Sequence, residues 1–150
     1  MWISTRAQYG MRALVEIALN GERPTSLKSI ADEQHISQHY LEQIVAVLRK
    51  AGIVESIRGA QGGYRLAKKM QDITALEVVE LMEGSLAPVA CLEDEAACEH
   101  TGQCSTENLW QRVDQAVRRV LSETNLAQLV AERGLIQLES PPEYLYAVSN

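Results

Sequence analysis

Two short amphipathic helices in close succession most constrain what this 150-residue chain can fold into. Ser26 caps the first helix, LKSIADEQ, and Ser37 caps the second, QHYLEQIVAVLRKA. Apolar side chains of the second helix fall at i, i+3, i+4 and i+7, and Gly52 follows where a helix end favours a left-handed residue. Two short helices joined by a turn of about three to four residues form a helix-turn-helix unit.

A glycine-rich hairpin follows at once. Ile53–Ile57 and Tyr64–Ala67 are short apolar runs, and the connection RGAQGG has the glycines that a hairpin needs where φ is positive. A phosphate-binding loop is the competing interpretation. The stretch fits neither G-x-x-x-x-G-K-[ST] nor G-x-G-x-x-G, and it does not lead into a helix. We therefore interpret the hairpin as the wing of a winged helix-turn-helix unit.

Further helices flank this unit. One begins at Ser4 or Thr5 and ends near Asn20–Gly21, and another opens with the capping box TALE at residues 74–77 and ends at Gly84. These elements predict a winged helix-turn-helix region over residues 1–84. The expected fold class is mainly α with a small β-hairpin wing.

The C-terminal part predicts two more helices. A long helix from about Thr106 has an apolar seam at helical spacing, and Thr124 or Asn125 caps a shorter one, LAQLVAER, that Gly134 stops. We place these helices at residues 105–134. The tail, residues 135–150, has no assigned structure.

Charge divides the chain into two halves. Residues 1–70 hold ten Lys and Arg against six Asp and Glu, a balance of +4, whereas residues 71–150 hold four against fourteen, a balance of −10. A basic first half suits a polyanion such as double-stranded DNA. The N-terminus lacks the layout of a secretory signal, and Glu16 interrupts the apolar run near Leu14. We expect a cytoplasmic protein without a membrane partner.

The second helix of a helix-turn-helix unit enters the DNA major groove with its N-terminal residues at the base edges. Gln pairs with adenine, and Glu accepts from the cytosine amine. A narrow minor groove attracts a wing arginine, and basic residues elsewhere contact phosphates. An ordinary solvated surface is the alternative for each residue taken singly. The candidate DNA-binding residues are Ser37, Gln38, His39, Glu42 and Gln43 on the helix, Arg58 and Gly59 in the wing, and Lys28, Arg49, Arg6 and Lys50 at phosphates.

All three cysteines lie in the acidic stretch CLEDEAACEHTGQC, as Cys91, Cys98 and Cys104. An odd number of cysteines in a chain with no mark of secretion argues against a disulfide framework. Thiolates are preferred ligands of iron–sulfur clusters, and zinc in a Cys3His site is an alternative. A thiol redox switch is another, although the neighbouring carboxylates should raise the thiol pKa values. Three incidental cysteines are the remaining interpretation.

Six motifs occur in order along the chain: M-x-I-S-T at residue 1, YG at 9, L-x-x-IA at 27, YLEQ at 40, LR-x-AG at 48 and IRGA-x-GGY at 57. Together they resemble the Rrf2 family of bacterial winged-helix transcription regulators. The resemblance covers roughly residues 1–130 and implies a homodimer built on the long helix of region 105–134. It also implies an imperfect palindromic operator, base contacts near Glu42 and minor-groove contact by Arg58.

Members of that family that regulate iron–sulfur cluster assembly place three cysteines between the fourth helix and the dimerisation helix. The resemblance therefore implies that residues 85–104, the cysteine segment, bind a cluster of the 2Fe–2S type. A histidine lies three residues beyond the third cysteine in those relatives, and here that position is Glu107. The fourth ligand is Glu107 by position, His100 by chemistry, or a residue from elsewhere or from a partner subunit.

The N-terminal half also resembles cysteine-metabolism regulators of the family, which lack these cysteines. The alternative function is therefore a cluster-free regulator that responds to a partner protein or to thiol state. An enzyme is not expected, because the chain has no C-x-x-C, no cofactor loop and no catalytic triad. No catalytic residue is assigned. His35 and His39 lie in the helix-turn-helix unit, where structure or DNA contact suits them better.

Overall fold

The computed structural model describes residues 3–139. It is mostly helical with one two-stranded antiparallel sheet, which confirms the predicted fold class. Three short 3-10 turns lie at Met70–Asp72, Ala90–Leu92 and Glu95–Ala97. The main elements are α1 (Thr5–Leu19), α2 (Leu27–Gln34), α3 (Gln38–Lys50), β1 (Val54–Ile57), β2 (Gly63–Leu66), α4 (Ala75–Glu83), α5 (Glu107–Glu123) and α6 (Leu126–Glu139).

Side-chain caps fix where the first four helices begin. Ser4, Ser26 and Ser37 each accept a hydrogen bond from a backbone N–H of the first turn, at 3.1–3.2 Å. Each such cap contributes about 1 kcal/mol to helix stability. Thr74 caps α4 in the same way, but the Glu77 carboxylate pairs with Lys68 Nζ at 2.5 Å. Of the two hydrogen bonds expected from the capping box at residues 74–77, the one from the Glu77 N–H to the Thr74 hydroxyl therefore forms, whereas the Glu77 side chain pairs with Lys68.

The core lies where α1, α3 and α4 meet. Gly10 lets α1 approach α4 closely, since a Cβ there would lie 3.1 Å from Met82 Cε. The apolar stripe of α3 is buried completely, so its opposite face is left to solvent. The largest fully buried side chains include Leu14, Ile17, Ile30, Leu41, Ile44, Leu48 and Ile53.

The wing is fastened to the loop between α1 and α2. Thr25 and Tyr64 exchange two backbone hydrogen bonds of 2.8 Å, which form an isolated antiparallel β-bridge beside β2. A Cβ on Gly63 would lie 2.4 Å from the Thr25 carbonyl oxygen, so this approach requires glycine. The buried Thr25 hydroxyl accepts from Asn20 Nδ2 at 2.7 Å. The wing is thus held in a fixed position relative to α1.

The C-terminal helices join this unit through backbone and ionic contacts. Leu126 N–H donates to the Ile73 carbonyl at 2.9 Å, and the Leu126 side chain is buried in the main core. On α5, Arg118 contacts Glu80 of α4 at 2.6 Å and Asp114 at 3.0 Å. The hydrogen bond to Glu80 is the main cause that raises the pKa of Arg118.

The prediction that Gly134 stops the last helix is wrong. Helix α6 continues through Gly134 to Glu139. A glycine inside a helix costs only about 1 kcal/mol relative to alanine, which the packing of α6 against α1 can offset. The tail beyond residue 139 lies outside the described residues. Among residues 3–139, no helix combines the length and the apolar character needed to cross a membrane.

Candidate DNA-binding surface and cysteine segment

The outer face of α3 presents polar side chains together. Gln38, His39, Glu42 and Gln43 are all exposed, on the side of the helix opposite its buried stripe. His39 Nε2 lies 3.4 Å from Gln43 Nε2, and His39 Nδ1 lies 3.9 Å from Glu42 Oε2. Ser37 differs from these residues because its hydroxyl oxygen caps the helix by accepting from Tyr40 N–H. The structure therefore places four of the five candidate base readers on one free face.

The wing tip is a tight turn with an exposed arginine. Arg58 and Gly59 are both exposed, and Gly59 has a φ of +122°, a conformation that side chains disfavour. A Cβ on Gly62 would lie 2.3 Å from the Ile57 carbonyl oxygen. The two glycines therefore serve the turn geometry, and Arg58 is the charged residue at the tip.

The candidate phosphate-contacting residues differ in how exposed they are. Arg49 and Lys50 are exposed in the last turn of α3, whereas Arg6 is half-buried. Lys28 forms an exposed pair with Asp32 at 2.9 Å, and this hydrogen bond raises the pKa of Lys28. Arg65, which the sequence did not single out, faces Glu55 at 2.6 Å and stiffens the wing. Its cross-strand position opposite Glu55 is the signal by which this pairing could have been found.

The cysteine segment has little regular structure, as expected. Cys91 lies in one 3-10 turn, Cys98 directly follows another, and Cys104 precedes α5. All three are free thiols and half-buried. Within residues 3–139, no group of three or more His, Cys, Asp and Glu side chains is close enough to hold a metal ion. The donor types fit an iron–sulfur cluster or zinc, but the structure does not bring the three thiols together.

Glu107, the candidate fourth ligand by position, already has partners. Its carboxylate accepts from Gly102 N–H at 2.9 Å and from Gln111 Nε2 at 3.3 Å. Its own N–H donates to the Cys104 carbonyl at 3.2 Å. Glu107 thus ties the end of the cysteine segment to the first turn of α5. His100, the candidate by chemistry, is exposed.

The expectation of raised thiol pKa values is wrong for Cys104. The Thr106 hydroxyl lies 3.2 Å from Cys104 Sγ, and this hydrogen bond lowers the pKa of the thiol. The Thr106 backbone N–H lowers it further, and these contacts outweigh the opposing charge of Glu107. Thr106 is a residue that sequence reasoning missed. A hydroxyl two residues from a cysteine is a common pattern and gave no distinct signal.

Comparison with known proteins identifies the family. A family model described as an iron-dependent transcriptional regulator, Rrf2, matches residues 3–132. The chain belongs to the Rrf2 family. Its relatives include the HTH-type transcriptional regulator CymR of Bacillus subtilis, which is 46% identical over 132 residues, 87% of this chain and 91% of CymR. As an Rrf2 protein, the chain is a DNA-binding transcription regulator, and relatives such as CymR and IscR are named as HTH-type transcriptional regulators.

Two solved Rrf2 structures share its fold. The structure of CymR, the global cysteine regulator of B. subtilis, has a TM-score of 0.76 and 44% identity, covering 88% of this chain and 98% of that chain. The structure of T. potens IscR has a TM-score of 0.73 and 37% identity, covering 97% and 96%. The chain is therefore similar to both named regulators.

Proposed function

We propose that this Rrf2 protein binds a palindromic operator as a homodimer and that its cysteine segment modulates the binding. The observation that carries this proposal is the exposed polar face of α3, on a helix whose apolar stripe is buried, together with the exposed Arg58 at the tip of the following hairpin. A rigid unit presents its readers without a further ordering cost on binding. The charge distribution also favours DNA binding, because residues 1–70, which contain α3 and the wing, are the basic half of the chain.

The contacts with DNA follow from the layout. Helix α3 enters the major groove, where Gln38, His39, Glu42 and Gln43 meet base edges. The wing directs Arg58 towards the adjacent minor groove. Arg49, Lys50 and Lys28 contact phosphates, with Gly59 shaping the wing tip and Ser37 holding the start of α3. Lys28 exchanges Asp32 for phosphate when DNA binds.

The homodimer is supported by α5. This 17-residue helix has no buried side chain in the described monomer, yet apolar residues follow one another along one side. Leu109 is 49% exposed and Val120 is 61% exposed. Such a face needs cover, and a second α5 supplies a complementary surface by two-fold symmetry. Two copies then present two α3 helices to a two-fold related operator.

The cysteine segment is proposed to hold an iron–sulfur cluster of the 2Fe–2S type. Cys91, Cys98 and Cys104 are half-exposed soft donors, and the family model describes iron-dependent regulators. When bound, such a cluster supplies a redox- and iron-responsive group. Binding requires the segment to rearrange, with His100 or a residue released from other contacts, such as Glu107, as the fourth ligand. Because the segment joins α4 to α5, a coupling of about 1–3 kcal/mol would change operator affinity several-fold or more.

A second candidate function is favoured by the pKa of Cys104. A thiol with a lowered pKa in a half-exposed position is suited to reversible oxidation. In this alternative the protein holds no cluster and regulates cysteine metabolism, as a CymR-like protein that responds to the state of this thiol. A response to a partner protein or to bound zinc belongs to the same alternative. Either way the protein acts on DNA in the cytoplasm.

DNA binding is tested by selection from a randomised duplex library with the full-length protein. We expect enrichment of an imperfect palindrome and a steep loss of affinity with salt. Gln43→Ala should relax preference at one position of each half-site, and Arg58→Ala should weaken binding. Arg23→Ala, in the exposed loop before α2, is the control. Recovery of no consensus sequence would contradict operator recognition.

The cofactor is tested by anaerobic purification, visible absorbance, and analysis for iron, acid-labile sulfide and zinc. We expect coloured protein with iron and sulfide in equal amounts, lost in Cys98→Ala. Colourless protein after reconstitution would reject the cluster and favour the thiol mechanism. Zinc bound by wild type and lost in Cys98→Ala would favour the zinc alternative.

A further inference from the structure

A groove between α1 and α6, beside the end of α2, belongs to neither the DNA-binding surface nor the cysteine segment. It encloses about 370 Å³. This volume falls in the range of roughly 300–1,000 Å³ that is typical of small-molecule sites. Both helices contribute to its walls, and Gln34 at the end of α2 closes one side. The groove therefore lies next to the turn of the helix-turn-helix unit.

The floor of the groove is apolar. Met11 and Val15 line it from α1, and Leu129 and Ile136 line it from α6. Three of these side chains are half-buried, and Ile136 is 57% exposed. An apolar floor in an open groove favours a ligand with a compact apolar part, because covering that surface releases ordered water.

Arg133 of α6 is an incompletely used donor at this groove. Its Nη2 lies 3.5 Å from Glu33 and 3.8 Å from Glu16, beyond the distance of a good hydrogen bond. Its Nε is buried and has no hydrogen-bond partner among the residues that the structure describes. A buried donor without a partner is costly, and a guanidinium matches a carboxylate with two parallel N–H donors. A ligand carboxylate would use this donor capacity better than the present contacts do.

Arg12 is occupied by contrast. Its Nε donates to Gln34 Oε1 at 2.6 Å, and its Nη2 donates to the Gln34 carbonyl at 3.0 Å. Gln34 Nε2 in turn donates to Glu16 Oε1 at 2.5 Å. This network holds the wall in place and leaves Arg133 as the guanidinium that is available to a ligand.

The carboxylates around the groove exclude a strongly anionic ligand. Glu16 and Glu132 line it together with the two arginines, so its charged lining is balanced. A phosphate ester would place two negative charges beside these carboxylates. A zwitterion places its carboxylate at Arg133 and its ammonium at Glu132, so both charges are matched.

We infer that the groove between α1 and α6 binds a free amino acid with an apolar side chain. The carboxylate pairs with Arg133, the ammonium with Glu132, and the side chain covers the apolar floor. This site goes beyond the proposed operator and cysteine functions and does not depend on either. A small-molecule effector here contacts α1, α2 and α6 at once, and so bears on how the C-terminal helices sit against the helix-turn-helix unit.

The test uses the full-length protein and isothermal titration, with ligand-observed NMR as a second readout. The probes are L-leucine, L-methionine and L-valine, with L-leucinol and 4-methylpentanoate as controls that lack the carboxylate or the ammonium. We expect saturable binding of at least one amino acid at one site per chain, and binding at least about tenfold weaker for both controls. No binding by any of the three amino acids, or equal binding of leucinol, would overturn the inference.

Two variants locate the site. Arg133→Gln should weaken amino-acid binding by roughly tenfold or more, whereas Arg23→Gln, an exposed arginine outside the groove, should leave it unchanged. Val15→Trp fills the groove and should abolish binding while sedimentation shows an unchanged oligomeric state. Amino-acid binding that survives both Arg133→Gln and Val15→Trp would place the ligand elsewhere. Dissociation of a dimer by Val15→Trp would assign the groove to a second copy of the chain and also overturn the inference.

Discussion

Helix α3 and the cysteine segment differ in how they are held. Four side chains of α3 are completely buried, and its first turn is capped by Ser37. In residues 85–104 a single side chain, Leu86, is buried. The rest of that segment is maintained by short-range hydrogen bonds, such as Thr101 Oγ1 to the Cys98 carbonyl at 2.9 Å.

Under the proposed function, this contrast separates the helix that would contact bases from the segment that would sense a signal. Packing gives α3 a single conformation with its exposed polar side chains in place, because disrupting a buried apolar stripe costs several kcal/mol. Local hydrogen bonds in contact with water are cheap to exchange, so the cysteine segment can change conformation without unfolding its neighbours. A regulator needs both properties, since a rigid reader alone has no means to respond.

The largest test of this contrast replaces a leucine in each region. Leu41→Ala in α3 should lower the free energy of unfolding by about 3 kcal/mol, because it leaves a cavity in a closed core. Leu92→Ala, at a half-buried position between the cysteines, should cost less than about 1 kcal/mol. Urea unfolding of metal-free protein measures both. Equal losses in the free energy of unfolding would show that the cysteine segment is packed as firmly as α3.

The firmly packed region, residues 1–84, is also the region whose helices could be predicted from sequence. Ser26, Ser37 and Thr74 announce helix starts through contacts within three residues, and apolar periodicity locates the buried face of α3. Because these signals involve residues close together in the chain, they can be recognised in a single sequence. The stop at Gly134 failed because packing from a distant helix decided the outcome there.

A pair of glycine substitutions gives the next largest effect. Gly63→Ala should cost about 2 kcal/mol, because its Cβ would meet the Thr25 backbone at 2.4 Å, and backbone cannot turn aside. Gly102→Ala meets no described atom within 4 Å, so only its φ of +81° opposes it, at about 1 kcal/mol. Denaturant midpoints compare the two variants. Operator affinity should fall only for Gly63→Ala, and a matching fall for Gly102→Ala would link the cysteine segment directly to the wing.

The contacts that escaped prediction depend on how distant elements, or the irregular cysteine segment, come together in three dimensions. No local sequence signal predicts the backbone pairing of Thr25 with Tyr64. None predicts the ionic contacts of Arg133 with Glu16 and Glu33 either. The candidate site shows the same division. The exposed face of α3 follows from periodicity, whereas the partners of Glu107 and Cys104 depend on how an irregular segment turns back on α5.

Removing the ionic link between α4 and α5 should have a smaller effect. Arg118→Met breaks the contacts with Glu80 and Asp114, and partly exposed pairs contribute about 0.5–1 kcal/mol. Arg112→Met, at an exposed position on the same helix, is the control. Denaturation measures the loss, and amide hydrogen exchange in α4 reports whether α5 loosens. A loss in the free energy of unfolding above about 2 kcal/mol would mean that Arg118 contributes far more to the contact between α5 and α4 than an ion pair allows.

The smallest effect concerns reactivity rather than stability. Thr106→Val removes the hydroxyl that lowers the pKa of Cys104, so the pKa of the thiol should rise towards its ordinary value. Less thiolate is then present near neutral pH, and alkylation of Cys104 by iodoacetamide should slow severalfold, with its rate–pH profile moved to higher pH. The measurement uses metal-free protein carrying Cys91→Ala and Cys98→Ala. Thr101→Val is the matched control, because that hydroxyl donates to a carbonyl and not to a thiol. Equal slowing by both variants would show that the segment acts through its general conformation, whereas slowing by Thr106→Val alone assigns the reactivity of Cys104 to a single hydrogen bond.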